Sequence, residues 1–148
     1  MGTGESQPES VDYAQGDPIP QAAAIPYRII DGVIEVMIVT ANSGGWTIPK
    51  GLIDPGRTAQ QMAEIEALEE AGVIGKAESE PIGEFRYEKF KGLCHVQVFP
   101  MLVDRVLDRW AEDAERSRRW VPIDHAAEEV RLPQMGEVIH AFAERERS

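Results

Sequence analysis

Between Ala22 and Thr40 the chain is apolar almost without a break, and Asp31-Gly32 divides that run into two strand-length pieces joined by a tight turn. Pro26 lacks an amide donor, so the first piece, Ala22 to Ile30, is expected at a sheet edge or with a bend. Val33 to Thr40 is dense in β-branched residues and is the strongest strand signal in the chain. Asn42 to Gly45 reads as a loop, and Trp46 to Ile48 as a short strand delivering Pro49-Lys50-Gly51 to a second loop. A helix is expected from Thr58 to Gly72: Thr58 and Gln61 have the spacing of a capping box, and Gly72 suits the closing position. After it, Gly75 to Glu80 reads as a connector and Ile82 to Phe90 as a strand with Phe85 and Tyr87 on one face. Lys91-Gly92 turns into Leu93 to Val103, a long apolar strand interrupted by Pro100. Asp104 to Ala114 stays open between loop and short helix, and Glu115 to Val121 reads as a final edge strand. Asp124 to Val130 suggests a short helix capped by Asp124. Met135, Val138, Ile139 and Phe142 recur at i, i+3, i+4 and i+7, the stripe of an amphipathic helix after Pro133. Strands and helices do not alternate regularly, and no internal repeat is present. The class is therefore α+β, a mixed sheet with helices packed on it as an α/β/α sandwich.

Charge and composition narrow this picture. The 148 residues suffice for one domain with a real core, expected over residues 21–148. Residues 1–20 are rich in Gly, Ser, Pro, Gln and acids and are expected to form a flexible acidic tail. The net charge of −11 argues against non-specific binding to nucleic acid or to a membrane surface. An anionic ligand would then need local basic residues or a metal. The single cysteine, Cys94, excludes an internal disulfide, sits in an apolar run and fits a reducing compartment, the cytoplasm by default. Neither a membrane span nor a signal peptide is evident. Oligomeric state is not legible.

The central helix carries the candidate chemistry. At about 100° per residue, Glu66, Glu69 and Glu70 fall within one arc, between Met62, Ile65 and Leu68 on one side and Ala59, Ala63 and Ala67 on the other. Glu64 and Gln60 point away, toward solvent. Carboxylates bordered by apolar surface repel one another and lose hydration unless a cation neutralises them. Glu66 and Glu70, one turn apart, can reach the same ion, and oxygen ligands select a hard cation such as Mg²⁺ or Mn²⁺. A solvated acidic face is the alternative.

From Gly51 to Val73 the spacing resembles the Nudix box, with Gly51, Glu66, Glu69, Glu70 and Gly72 matching in identity and Trp46-Thr-Ile-Pro-Lys50 resembling its usual lead-in. Arg57 stands where that pattern has Glu, and Ile65 where it has Arg. Those two positions are thought to brace loop against helix, so the joint change reads as an exchange of one brace for another. Within the family the likeness is greatest to diphosphoinositol polyphosphate phosphohydrolases and their bacterial relatives, on Glu69-Glu-Ala-Gly-Val-Ile-Gly75, Trp110, the Arg116 to Trp120 segment and the last helix.

The resemblance implies a Nudix sandwich and a metal-dependent hydrolase that cleaves an organic pyrophosphate by water attack on phosphorus. The substrates it implies are a diphosphoinositol polyphosphate, a dinucleoside polyphosphate or another nucleoside diphosphate derivative. By the same analogy Glu66 and Glu70 would hold Mg²⁺ or Mn²⁺ with the Lys50 carbonyl, and Glu69 would be the base. Thr40, Asn42, Lys50, Arg57 and Arg116 are the candidate substrate contacts, and Arg118 can share a strand face with Arg116. His95, His125 and His140 show no ligand spacing. The competing reading, prompted by Arg57 and Ile65, is a catalytically silent Nudix module that binds a phosphorylated ligand.

Overall fold

A computed structural model describes residues 16–148; most of the expected tail, residues 1–15, lies outside the described residues. The remainder of that stretch is not all tail, because β1 (Ile19–Ile30) begins inside it and Ile19 is fully buried. The other strands are β2 (Val33–Thr40), β3 (Trp46–Thr47), β4 (Lys50–Leu52), β5 (Val73–Ala77), β6 (Gly83–Lys89), β7 (Gly92–Val106) and β8 (Arg118–Pro122). They form one mixed sheet in which β1 and β7 are the central parallel pair and every other pairing is antiparallel.

Pro26 therefore does not mark an edge. Along its outer side β1 pairs with β4 at Gln21 to Ala23 and with β2 from Tyr27 onward, and Pro26 lies at the change of partner. Pro100 does not interrupt β7 for the same reason. On its outer side β7 pairs with β6 up to Val98 and with β5 from Met101, so Pro100 falls between the two. A proline at such a gap removes no ladder bond. The two sit almost abreast, Pro26 opposite Met101 and Ile25 opposite Pro100.

The expected connector after the helix is largely strand β5. It is held to β7 across a bulge between Ile74 and Gly75, where a side chain on Gly75 would meet the Leu102 carbonyl at 2.2 Å. Bulged edge strands are short and lack clean alternation, which hides them from a pattern search.

Both faces of the central strands are covered, so β1 reads as a continuous apolar run. On one face Ile19, Ala23, Ile25, Val36, Ile38 and Val96 pack under α2 (Ile123–Glu129) and α3 (Pro133–Arg147). The stripe Met135, Val138, Ile139 and Phe142 faces inward as expected, and Tyr27 meets the Phe142 ring edge-on at 5.0 Å. On the other face Ala22, Ala24, Met37, Val39, Phe99 and Met101 pack under α1 (Ala59–Glu66). The architecture is the expected α/β/α sandwich. Asp124 does not cap α2: Pro122 occupies the capping position and Asp124 pairs with Arg147 at 2.6 Å.

The capping box of α1 is formed, with the Thr58 hydroxyl accepting from the Gln61 amide at 3.0 Å and the Gln61 side chain accepting from the Thr58 amide at 2.9 Å. Past Glu66, however, the helix widens into a π-helical turn, Ala67–Ala71, closed by Gly72 in the left-handed region (φ 66°). Gln60 and Glu64 do not face solvent. Gln60 donates to the Ala77 carbonyl and Glu64 accepts from the Ala77 amide, both at 2.8 Å, and together they cover the outer backbone of β5.

Candidate functional site

The π-helical turn is held open from outside. The Ala67 and Leu68 carbonyls accept from the Gly72 amide, but those of Glu69 to Ala71 lack helical partners, and the 107–118 segment supplies them. The Glu112 amide bonds the Glu69 carbonyl at 3.1 Å, Trp110 Nε1 the Glu70 carbonyl at 2.9 Å, and Arg118 the Ala71 carbonyl at 2.8 Å. The Leu107 amide bonds the Gly72 carbonyl at 2.8 Å. A cation at this helix end also suits its dipole. Gly72 is required twice over, by its φ and because a Cβ would strike Trp110 at 2.8 Å. Arg118 thus braces the helix. It does not share a strand face with Arg116, which precedes β8 and turns elsewhere.

The widened turn changes what the acids do. Glu66 and Glu70 meet and share a hydrogen bond, whereas Glu69 is exposed. Glu70 is 6% exposed; its carboxylate accepts from the Lys50 amide at 3.3 Å and lies 3.5 Å from the Arg116 guanidinium. Burial, and next the Glu70 carboxylate, push the Glu66 pKa up to about 9. Burial also raises Glu70, with Arg116 opposing. Glu69 is raised by its partial burial and then by Glu112 and Asp54. Gly51 lies flat against this pair: a Cβ there would stand 2.4 Å from the Glu66 carboxyl carbon.

Glu66 and Glu70 form one wall of a cavity of about 990 Å³. Lys50, Arg86, Lys89 and Arg131 also line it, and among the described residues none of these four takes part in an ion pair. Lys50 Nζ stands 4.9 Å from the Tyr87 ring, and the Tyr87 hydroxyl donates to Gln21 at 2.8 Å. Burial, and secondarily the charge on Lys89, lower the Lys50 pKa to about 8.

Of the residues singled out in the sequence, Glu66, Glu70, Lys50, Asn42 and Arg116 line this cavity. Glu69, Thr40 and Arg57 are not among its lining residues. Thr40 spends its hydroxyl on the Ser117 amide at 3.0 Å and its carbonyl on Arg116 at 2.7 Å. Arg57 is exposed, while Ile65 packs against the apolar cluster under α1. Arg116 is anchored to Thr40, Glu70 and Glu112 at once and its side chain is only 9% exposed.

Pattern reading passed over Lys89, Arg131, Arg86 and Tyr87. They come from β6 and from the link between α2 and α3, and no spacing relates them to the helix. The one available signal was Lys89-Phe90-Lys91, two cations around an aromatic at a hairpin tip. Among the described residues no group of three or more His, Cys, Asp or Glu forms a metal cage. A cation here would rest on Glu66 and Glu70, with water and phosphate oxygens completing its shell, the usual arrangement for Mg²⁺. A buried and a half-buried carboxyl facing each other are consistent with that group.

Fold and cavity define a class of protein, an α/β/α sandwich in which a loop and helix present a carboxylate pair to a cavity lined on its other side by cations. The NUDIX domain profile matches residues 21–142, and the chain belongs to the Nudix family. It is 36% identical over 129 residues to Nudix hydrolase 4 of Arabidopsis thaliana, a match covering 80% of this chain and 62% of that protein. The chain thus spans less than two thirds of that relative's length. Among solved structures, a Caenorhabditis elegans Ap4A hydrolase binary complex superposes with a TM-score of 0.76 at 22% identity, covering 87% of this chain and 98% of that one. The NUDIX domain of Shewanella oneidensis NrtR complexed with ADP ribose superposes with a TM-score of 0.71 at 16% identity, covering 92% and 93%. Among the described residues no helix is long and apolar enough to cross a membrane.

Proposed function

We propose that this chain hydrolyses the pyrophosphate linkage of a small organic molecule, with Mg²⁺ or Mn²⁺ held by Glu66 and Glu70. The observation that carries this is the Glu66–Glu70 pair, half-buried and buried, set in the same cavity as Lys50, Lys89, Arg86 and Arg131. A bound divalent cation would offset charge on the phosphate oxygens. Lys50, Lys89 and Arg131 receive the remaining phosphate charge, and Arg116 holds Glu70 in place. Glu70 is already engaged by Lys50, Arg116 and Glu66, which leaves Glu69, with its raised pKa, as the candidate to orient and deprotonate water. The similarity to an Ap4A hydrolase and to an ADP-ribose complex supports nucleoside diphosphate derivatives as the first substrates to assay.

A phosphate-binding module without turnover is the second reading, favoured because Glu69 is not among the cavity-lining residues. Assay of dinucleoside polyphosphates, ADP-ribose, nucleoside triphosphates and diphosphoinositol polyphosphates with Mg²⁺ and Mn²⁺ separates the two. Turnover lost in Glu70→Gln supports the enzyme. Binding of these compounds without turnover in any of them selects the module.

A further inference from the structure

Two consecutive side-chain-bearing residues at the tip of the β6–β7 hairpin, Phe90 and Lys91, both have φ of 58°. Positive φ at both central positions is the type I′ arrangement, which favours Asn-Gly because a Cβ is strained in the left-handed region. A bulky aromatic there breaks local turn chemistry, and such violations gather where function requires the side chain. The fold gains little from it in return. Phe90 is 54% exposed and belongs to neither apolar cluster. It lines the cavity mouth beside Leu93 and Lys89, with Lys89 Nζ 5.1 Å from its ring.

We infer that Phe90 is the stacking platform for a planar base, so that the cavity takes a nucleotide: base on Phe90, phosphate among Lys89, Lys50 and Arg131. An exposed flat ring beside cations that form no ion pair among the described residues asks for a planar group and a phosphate in one molecule. Base-free pyrophosphates would use the cations alone. This rests on the cavity being the substrate site proposed above.

AMP and ribose 5-phosphate, titrated calorimetrically against the full chain in Mg²⁺, isolate the base. Wild-type protein binds AMP more tightly. In Phe90→Asn/Lys91→Gly, which installs the favoured turn, Tm rises by a few degrees, while AMP binding weakens roughly five- to a hundredfold, toward that of ribose 5-phosphate. Ribose 5-phosphate affinity stays unchanged, and Phe90→Trp binds AMP like the wild type. Equal binding of the two probes by the wild type overturns the inference. So does undiminished AMP binding by the double variant, or a lower Tm in it. Hydrolysis of a base-free organic pyrophosphate, measured in parallel with Glu66→Gln as control, reports on the cavity assignment independently of Phe90.

Discussion

Arg118 stacks over the Trp110 ring at 3.9 Å, and the two residues donate to neighbouring carbonyls of one π-helical turn, Ala71 and Glu70. The turn that carries Glu69 and Glu70 is therefore shaped by a segment some forty residues downstream. Trp110→Phe keeps an aromatic ring beneath Arg118, with less area, and removes the Nε1 donor to the Glu70 carbonyl. It is expected to cost about 1–3 kcal/mol in urea unfolding. Turnover should fall with it, because Glu70 loses its backbone anchor. Arg118→Met removes the donor to the Ala71 and Leu107 carbonyls together and should cost more.

Gly51→Ala tests how closely the loop must approach the helix. The added methyl meets only the flexible end of Glu66, at 2.4 Å, so the fold can accommodate it by moving that side chain. Stability should change by about 1 kcal/mol or less. Divalent-cation affinity, followed by calorimetry, should fall at least tenfold because Glu66 is displaced. A variant that binds the cation as the wild type does would remove Glu66 from the metal site.

Single Glu→Gln changes should separate ligand from base. Glu66→Gln and Glu70→Gln are expected to weaken Mg²⁺ binding along with turnover. Glu69→Gln should leave Mg²⁺ binding within about twofold and lower kcat by about 10²–10⁴-fold. Reversal of that order between Glu69 and Glu70 would move the base to Glu70.

Cation stabilisation should depend on pH in a definite direction. Glu66 has a folded pKa raised from 4.5 to about 9, so the folded chain holds its proton more tightly than the unfolded one. The stability this confers is complete at low pH and is lost as pH climbs through that window. Without divalent cations, Tm should decline across it more than in Glu66→Gln. Adding Mg²⁺ replaces the proton, so its Tm increment should be larger at pH 8.5 than at pH 5.

What the sequence revealed and concealed follows from the range of the interactions. The Thr58–Gln61 box, the Asp31-Gly32 hairpin, the stripe on α3 and the Glu66–Glu70 register are local, and each was legible from a few neighbouring residues. The π-helical turn was not, because the groups that bond its last carbonyls, Trp110 and Arg118, lie forty residues or more away. At a uniform helical pitch Glu69 belongs with Glu66 and Glu70; the widened turn sets it apart. Gln60 and Glu64 looked solvent-facing because β5, whose backbone they cover, carries a bulge and no alternation. Most of the basic side of the cavity was hidden for another reason: Arg86, Lys89 and Arg131 become neighbours of Lys50 only when β4, β6 and the α2–α3 link converge.

Pro26 and Pro100, abreast on the two central strands, divide the sheet along its length. On one side of that line stand β4, β1, β7 and β6, which carry Lys50, Gln21, Tyr87 and Lys89; on the other stand β2, β1, β7 and β5, and α1 lies across both, on Ala22, Ala24 and Phe99 as well as Met37 and Met101. Since neither proline offers an amide, the outer strands at one end impose no register on those at the other. The β6–β7 hairpin, Phe90-Lys91 included, can change length or sequence without a slip being transmitted to β2 and β5. One scaffold can thus keep its carboxylates fixed while the opposite rim is rebuilt for a different ligand.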